Sequence, residues 1–432
     1  MCAHERTRTH MRGTTMVSWS TEPRAFHASA YKLAWGAALI FYFLEYVVRS
    51  APAVMIPELT TAFSVDAVGV SAIIGAYYYT YSVTSLAAGA ALDRFGAKAP
   101  VALGAVLLGI GCLLFVVSVP FVGYLGRLLQ GAGSAFAFTG AVFLATHGFS
   151  GSVLATAIGF TQCFGMLGGS AGQFAVGPLI HGTLGWKGFW VATAIACLAV
   201  GAALFLITPA EGRDDNAPAR EGLIAPFKTV FSNPQSYLCG IIAGLLFAPT
   251  TIGDMIWGVA FFQQDRGVEY ARAVSIASMV PLGWVVGCPL LGWLADYIGL
   301  RKPTLILGAA IMLMSVIATA YTNDSTFNYI SMFLLGVGSG AAMIPYTIIK
   351  EVNPDKAKGS AVGVINFITF GVTAAVAPIF AREHGRSLAS SSDHLAHFKE
   401  AADFWVVAIV IAIGLALFLR ETGAKASAEK SR

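Results

Sequence analysis

Twelve apolar runs divide this sequence, and each is long enough to cross a hydrocarbon layer of about 30 Å, which takes about 20 helical residues. They cover residues 33–58, 67–91, 99–119, 121–146, 153–180, 187–208, 236–262, 271–295, 302–321, 328–349, 358–381 and 401–419. Hydrophobic residues make up 56% of the chain and charged residues 12%, about half the charged share of a soluble domain. Lipid offers no partner to a free backbone group, so every run must satisfy itself as a helix. The fold class that follows is an all-α polytopic membrane protein. The net charge of +4 does not point to a nucleic-acid partner, because the basic residues lie between apolar runs rather than in one patch. Cys2, Cys112, Cys163, Cys197, Cys239 and Cys288 form no CxxC pair and read as free thiols.

The chain is also duplicated. Gly89-Ala-Ala-Leu-Asp93-Arg94-Phe-Gly96-Ala-Lys98 is echoed by Gly292-Trp-Leu-Ala-Asp296-Tyr-Ile-Gly299-Leu-Arg301-Lys302. Gly89 and Gly292, Asp93 and Asp296, and Gly96 and Gly299 are each 203 positions apart. A fixed offset near half the chain length marks an internal repeat. The organisation expected is a disordered cytoplasmic tail (1–32), a first six-helix bundle (33–208), a polar linker (209–235), a second six-helix bundle (236–420) and a short tail (421–432). Leu223–Phe231 within the linker is mildly amphipathic and suits a membrane surface.

Lysines and arginines set the orientation. With both termini in the cytoplasm, that side holds the N-terminal tail, Arg94, Lys98, the linker, Arg301, Lys302, Lys350, Lys356, Lys358 and the tail from Arg420, and the other holds Lys187, Arg266, Arg272, Arg382, Arg386 and Lys399. The bias is about three to one for both ends inside. No short apolar segment with a cleavage site precedes the first run, so no signal peptide is expected. Met11 and Met16 are alternative starts.

Twelve helices in two halves, a long central loop and two Gly-x-x-x-Asp-x-x-Gly-x-basic loops resemble the major facilitator superfamily. Arg127-Leu-Leu-Gln130-Gly131-Ala-Gly133 is similar to its Arg-x-x-x-Gly-x-Gly pattern. The resemblance spans about Trp35 to Arg420. It implies two six-helix bundles that rock about a central site near the midplane, with helices one, four, seven and ten lining the cavity. It implies that Gly89, Asp93, Arg94, Gly96 and Lys98, with Gly292, Asp296, Gly299 and Arg301, form gating loops. Glycine allows close packing and a tight turn there, and the charges can pair in one state and part in another. The Gly-Pro pattern of drug–proton antiporters is absent: Gly177-Pro178 comes late in helix five.

Charges within the runs are costly, about 2.5–3.5 kcal/mol or more near the bilayer centre. Glu45 and Arg49 share a helix face. Arg127 lies in helix four and Asp254 in helix seven, and Arg49, Arg127 and Asp254 fall at similar depth. Arg49 and Arg127 suit an anionic substrate group, since the guanidinium fork matches planar oxygens. Asp254 suits an ammonium group, or closes the site from the opposite half. Glu45 and Asp254 are the candidate proton carriers. With two arginines beside it Glu45 stays ionised, which makes it a structural partner and Asp254 the better carrier. A fixed Glu45–Arg49–Arg127 network holding helices one and four is an equal alternative. Of Tyr77, Tyr78, Tyr79 and Tyr81 at most two can face a cavity, and Tyr78, Gln162, Trp257, Gln173 and Asn366 are further candidates. Pro52, Pro249, Pro281 and Pro345 are candidate kinks. The scattered histidines fit no metal site, and the chain carries no Walker phosphate loop and no nucleophile–base set, so neither a cofactor nor an enzyme activity is expected.

The reading is a secondary active transporter of a small polar organic solute, such as an organic acid, amino acid or short peptide. It works by alternating access with proton symport, in a bacterial inner membrane, and a monomer suffices. Its partners are the small-molecule substrate, protons and the lipid bilayer. An exporter of amphipathic or drug-like compounds is the alternative, and a non-transporting receptor or scaffold is the alternative from another class.

Overall fold

The computed structural model describes residues 22–149, 151–182, 184–210, 225–322, 325–354, 357–390, 394–423 and 425. Eleven helices among them are long and apolar enough to cross a membrane. A twelfth counts when Ile56–Phe63 and Ala67–Leu92, bent by 101°, are taken together. The helices used below are α1 (Glu22–Ser50), α2 (Ala67–Phe95), α3 (Lys98–Phe115), α4 (Pro120–Gly148), α5 (Gly151–Phe174), α6 (Gly185–Ile207), α7 (Pro234–Ala248), α8 (Met279–Ile298), α9 (Lys302–Tyr321), α10 (Ser325–Ser339), α11 (Lys358–Ser390) and α12 (His394–Leu417).

Sequence chemistry sets the breaks. The Asp66 carboxylate accepts from Gly69 N at 2.7 Å and caps α2, and Asn233 caps α7 in the same way. Each satisfies an otherwise orphaned N–H of the first turn. The prolines expected to kink helices lie where helix type changes. Pro52 sits in the 3-10 turn Ala51–Val54 after α1, and Pro249 opens a π-helical segment, Pro249–Asp254, after α7. Pro281 falls in the first turn of α8, after a break from Tyr270–Ala277, and Pro345 starts Ile344–Glu351. Proline lacks the N–H of an unbroken ladder and tends to mark its end.

Two boundaries differ from expectation. α1 begins at Glu22 rather than near residue 33. The first run, expected to continue to residue 58, instead turns at Ala51–Val54 into a separate helix, Ile56–Phe63. Most of the expected linker, 211–224, lies outside the described residues. The amphipathic stretch within it forms Ala225–Phe231, which packs on α11.

Packing repeats between the halves. α1 contacts α4, α5 and α6, and α4 contacts α2 and α3. In the second half α7 contacts α11 and α12, and α10 contacts α8 and α9. The halves meet along two seams, α2 with α11 and α5 with α8. Helices approach closely where glycine permits: a Cβ on Gly131 of α4 would strike the Tyr77 carbonyl of α2, and one on Gly336 of α10 would strike that of Val280 in α8. Small residues serve this purpose in membrane helices.

One end of the bundle carries the turns at Gly96 and Gly299 and the chain after Leu417; we call it the terminal face. The opposite end, the far face, carries Ala51–Phe63 and Phe261–Tyr270. At the far face the halves are joined: the Tyr270 hydroxyl donates to the Val54 carbonyl at 2.9 Å, and the His181 ring stacks on Tyr270 at 4.6 Å. Along the seams, Ser82 donates to the Phe367 carbonyl at 2.6 Å and Ser170 to the Ser278 carbonyl at 3.2 Å.

Candidate functional site

The repeated loops begin with their glycines. Gly96 and Gly299 have φ of 70° and 74°, a region glycine enters without a Cβ penalty, and each terminates the preceding helix. Gly89 and Gly292 have no such reason: a Cβ on either meets nothing within 4 Å. Their expected role in close packing is not expressed in this conformation.

In the second loop Arg301 donates to Asp296 at 2.5 Å and to Glu351 at 2.9 Å. Glu421 accepts from the backbone N of Arg301 at 2.7 Å and of Lys302 at 3.2 Å, so the chain end caps α9. Partial burial opposes the charge on Arg301, but hydrogen bonds and proximity to Glu351 and Asp296 outweigh it and raise its pKa. In the first loop the Asp93 side chain lies outside the described structure. Arg94 lies 5.5 Å from the Phe95 ring and Lys98 lies 5.1 Å from that of Phe205.

The buried charges of the first half gather around Tyr77. Glu45 accepts from both Arg49, one turn along α1, and the Tyr77 hydroxyl of α2. All three are buried. The Arg49 guanidinium is boxed by rings, with centroids at 4.5 Å (Tyr46), 4.8 Å (Tyr81), 5.3 Å (Phe370) and 5.4 Å (Tyr77). Cation–π attraction of this kind is worth about 2 kcal/mol or more when desolvated. Phe370 comes from α11, so the box spans the two halves. The cluster still has open valences: Arg49 Nη1 and Glu45 Oε2 have no hydrogen-bond partner.

Arg127 lies on the other side of the same ring, 4.8 Å from the Tyr77 centroid. It donates to the carbonyls of Ile74 at 3.2 Å and Val48 at 3.1 Å, and to Gln130 at 2.6 Å. It thus ties α4 to the backbones of α1 and α2, and it makes no hydrogen bond to Glu45.

Asp254 stands apart. It ends the π-helical segment, and its Oδ2 accepts from Gln173 of α5 at 3.3 Å. Its other oxygen has no partner. Asp254 helps to wall a cavity of about 60 Å³ inside the second half, where Phe261, Phe262, Phe398 and Trp405 supply aromatic faces. The indole N–H of Trp405 is buried and unpartnered.

The other candidates are spread around these centres. Tyr78 donates to the Thr251 carbonyl at 3.4 Å across the halves. Gln162 accepts from Tyr42 at 3.3 Å, tying α5 to α1. Trp257 is buried, stacked on Phe261 at 6.1 Å. Asn366 accepts from Tyr346 at 2.6 Å. Three of the four tyrosines of α2 are buried and only Tyr79 is 49% exposed. They are buried because α2 is packed on both sides, by α4 and α11. The sequence singles out Tyr78 among the four, whereas it is Tyr77 that bonds Glu45, and Phe370 carries no signal in the sequence.

A sequence profile described as Major Facilitator Superfamily matches residues 38–378. Among curated proteins, the chain is 27% identical over 167 residues to the "D-galactonate transporter" of Escherichia coli O6:H1 (strain CFT073), covering 36% of this chain and 38% of that one. It is 30% identical over 126 residues to the "D-xylose transporter" of Levilactobacillus brevis, covering 29% and 27%. It is 26% identical over 201 residues to "Multidrug resistance protein MdtL" of Escherichia coli O157:H7 (strain EC4115), covering 45% and 48%. The chain thus matches less than half the length of these relatives. Among solved structures, a bacterial homolog of the human lysosomal transporter Spinster, inward-facing and occupied, superposes with a TM-score of 0.69 at 17% identity, covering 90% of this chain and 96% of that one. The nucleoside transporter NupG gives 0.67 at 15% identity, covering 88% and 99%.

Proposed function

We propose that this chain, which belongs to the Major Facilitator Superfamily, is a secondary active transporter of a small carboxylate-bearing solute, driven by proton symport. The observation that carries the reading is Arg49: a buried guanidinium, boxed by rings from both halves, with Nη1 unpartnered. A buried donor without a partner costs about 1–3 kcal/mol, and a substrate carboxylate at Nη1 removes that cost. Of the two arginines expected to keep Glu45 ionised, only Arg49 bonds to it and Arg127 is engaged elsewhere, so Glu45 is again a candidate carrier: a proton on it would weaken its hold on Arg49 and free the rest of the fork. Substrate and proton then load together, which is the logic of symport. Tyr77 holds Glu45 in place, and Arg127 braces the helices that carry them. The chain would sit in a bacterial inner membrane with its termini in the cytoplasm. The lysine and arginine bias and the bacterial relatives support that placement.

Uptake into proteoliposomes tests this. Accumulation of a carboxylate solute under an inward proton gradient, lost in Arg49→Ala, supports the reading; accumulation unaffected by that substitution rejects it. One observation favours a second reading. The cavity at Asp254 has aromatic walls and one carboxylate, which suits an amphipathic cation, and a drug exporter would use it. Stabilisation by lipophilic cations alone, abolished in Asp254→Asn, would favour that reading.

A further inference from the structure

We propose that Gln173 and Asp254 form a proton-controlled latch across the far face. This deepens the alternating-access reading above and rests on it. The two residues belong to opposite halves, and they are joined by one hydrogen bond, Gln173 Nε2 to Asp254 Oδ2 at 3.3 Å. Each is left with one buried unpartnered oxygen, Gln173 Oε1 and Asp254 Oδ1. Two acceptors cannot satisfy each other. A proton on Oδ1 changes that: a neutral carboxyl has one O–H donor, and Oδ1–H can donate to Oε1. The planar amide and the planar acid are then joined by two hydrogen bonds in a ring. One proton, taken from the medium, fills both orphaned positions.

The position gives this consequence. The same end of the bundle is held by Tyr270 on Val54 and by Ser170 on Ser278. Opening the far face must separate α5 from Pro249–Asp254. With Asp254 ionised, opening breaks one hydrogen bond and releases a carboxylate towards solvent. With Asp254 protonated, opening breaks two. The protonated form therefore favours the closed far face.

Among the described residues no other titratable side chain walls the cavity beside Asp254: α9 contributes Val316 and Thr319, α10 Met332 and Leu335, and α12 Phe398, Ala401, Ala402 and Trp405. The charged neighbours lie further out. Arg266 lies 4.3 Å from the Phe398 ring and donates to the carbonyls of Thr319, Ala320 and Thr322, and Asp265 precedes it. From α2, Tyr78 meets the Thr251 carbonyl. At about 60 Å³ the cavity exceeds the roughly 10–15 Å³ that admits a water, so there is room for water beside Asp254.

The test is the distance across the far face as a function of pH. Nitroxides at Thr61→Cys and Ala271→Cys, in a background with the native cysteines replaced, report the gate in nanodiscs by double electron–electron resonance. In the otherwise native chain, the closed-to-open ratio should rise as pH falls, by up to about tenfold per pH unit, the limit for one proton. Asp254→Asn replaces the acid by an amide that donates and accepts as the protonated form does. It should be closed at every pH. Gln173→Leu keeps the volume without the polar atoms: a neutral Asp254 still favours the closed face, but both bonds to Gln173 are gone, so the closed fraction at low pH should fall below that of the native chain. A pH response that survives in Asp254→Asn, or a Gln173→Leu variant that responds as the native chain does, overturns the latch. The measurement needs no substrate, so a failed carboxylate reading at Arg49 leaves it standing.

Discussion

The guanidinium of Arg49 lies 5.3 Å from the ring centroid of Phe370, and the two residues come from opposite halves of the chain. The charge proposed to hold an anion is therefore capped by a side chain from the other half. If the halves rock apart as proposed, Phe370 leaves Arg49 in the same movement. Arg49→Ala should weaken binding of a carboxylate solute by about 10- to 100-fold, the equivalent of one charge-assisted hydrogen bond of about 1.5–3 kcal/mol. Phe370→Leu removes one of the four rings around the guanidinium and no hydrogen bond to the solute, so it should cost only a few-fold. Titration of ligand-induced stabilisation measures both, and equal losses in the two variants would count against the guanidinium as the anion's partner.

Glu45→Gln separates proton coupling from substrate exchange. The amide keeps the shape and an acceptor for Tyr77 but cannot ionise. Counterflow across vesicles without a proton gradient should persist, and accumulation driven by the gradient should vanish. Gradient-driven accumulation in the variant would move the coupling proton elsewhere.

Arg127→Met tests a bracing role. The substitution leaves the carbonyls of Ile74 and Val48 without their donor, at about 1–3 kcal/mol for each group left unsatisfied. The apparent Tm should fall clearly, and any ligand that still binds the folded fraction should do so with near-native affinity. A variant with native Tm and lost binding would instead place Arg127 on the substrate.

Much of this was legible in the sequence, for reasons that can be named. Each membrane span has to be one long apolar run, so the helices show themselves. A charge in such a run is expensive, so Glu45, Arg49, Arg127 and Asp254 stand out. A sequence does not show rotation about a helix axis. Tyr77 could not be separated from its tyrosine neighbours, because which of them faces Glu45 depends on how α2 turns between α4 and α11. Phe370 is one of 29 phenylalanines, and nothing local marks it. The π-helical segment Pro249–Asp254 adds a residue to the turn and changes which way Asp254 points. Position along the span gives the depth of Asp254 but not the direction it faces, which is towards Gln173 and a cavity in the second half.

Gly89 and Gly292 offer a test of motion. Neither Gly89→Val nor Gly292→Val meets an obstacle here, since a Cβ finds open space at both. Both variants should fold with near-native Tm, and if the halves close over these positions in another state, transport should slow. Gly131→Ala is the contrast: its Cβ strikes the Tyr77 carbonyl, and overpacking of this kind costs about 1–3 kcal/mol. A loss of Tm in Gly89→Val matching that in Gly131→Ala would show that the open space is not there.

The central claim is that Arg49 receives a substrate carboxylate. The most direct measurement is a thermal-shift screen of the purified protein against sugar acids, amino acids, dipeptides, dicarboxylates, neutral sugars and lipophilic cations, repeated with Arg49→Ala. A ligand of the native state raises Tm by mass action, by about 2.7 kcal/mol of stability at a hundred times its Kd. The account predicts that a carboxylate-bearing solute stabilises the native protein and that the shift disappears in the variant. Stabilisation by neutral sugars or lipophilic cations alone, or a carboxylate shift that survives Arg49→Ala, would contradict it.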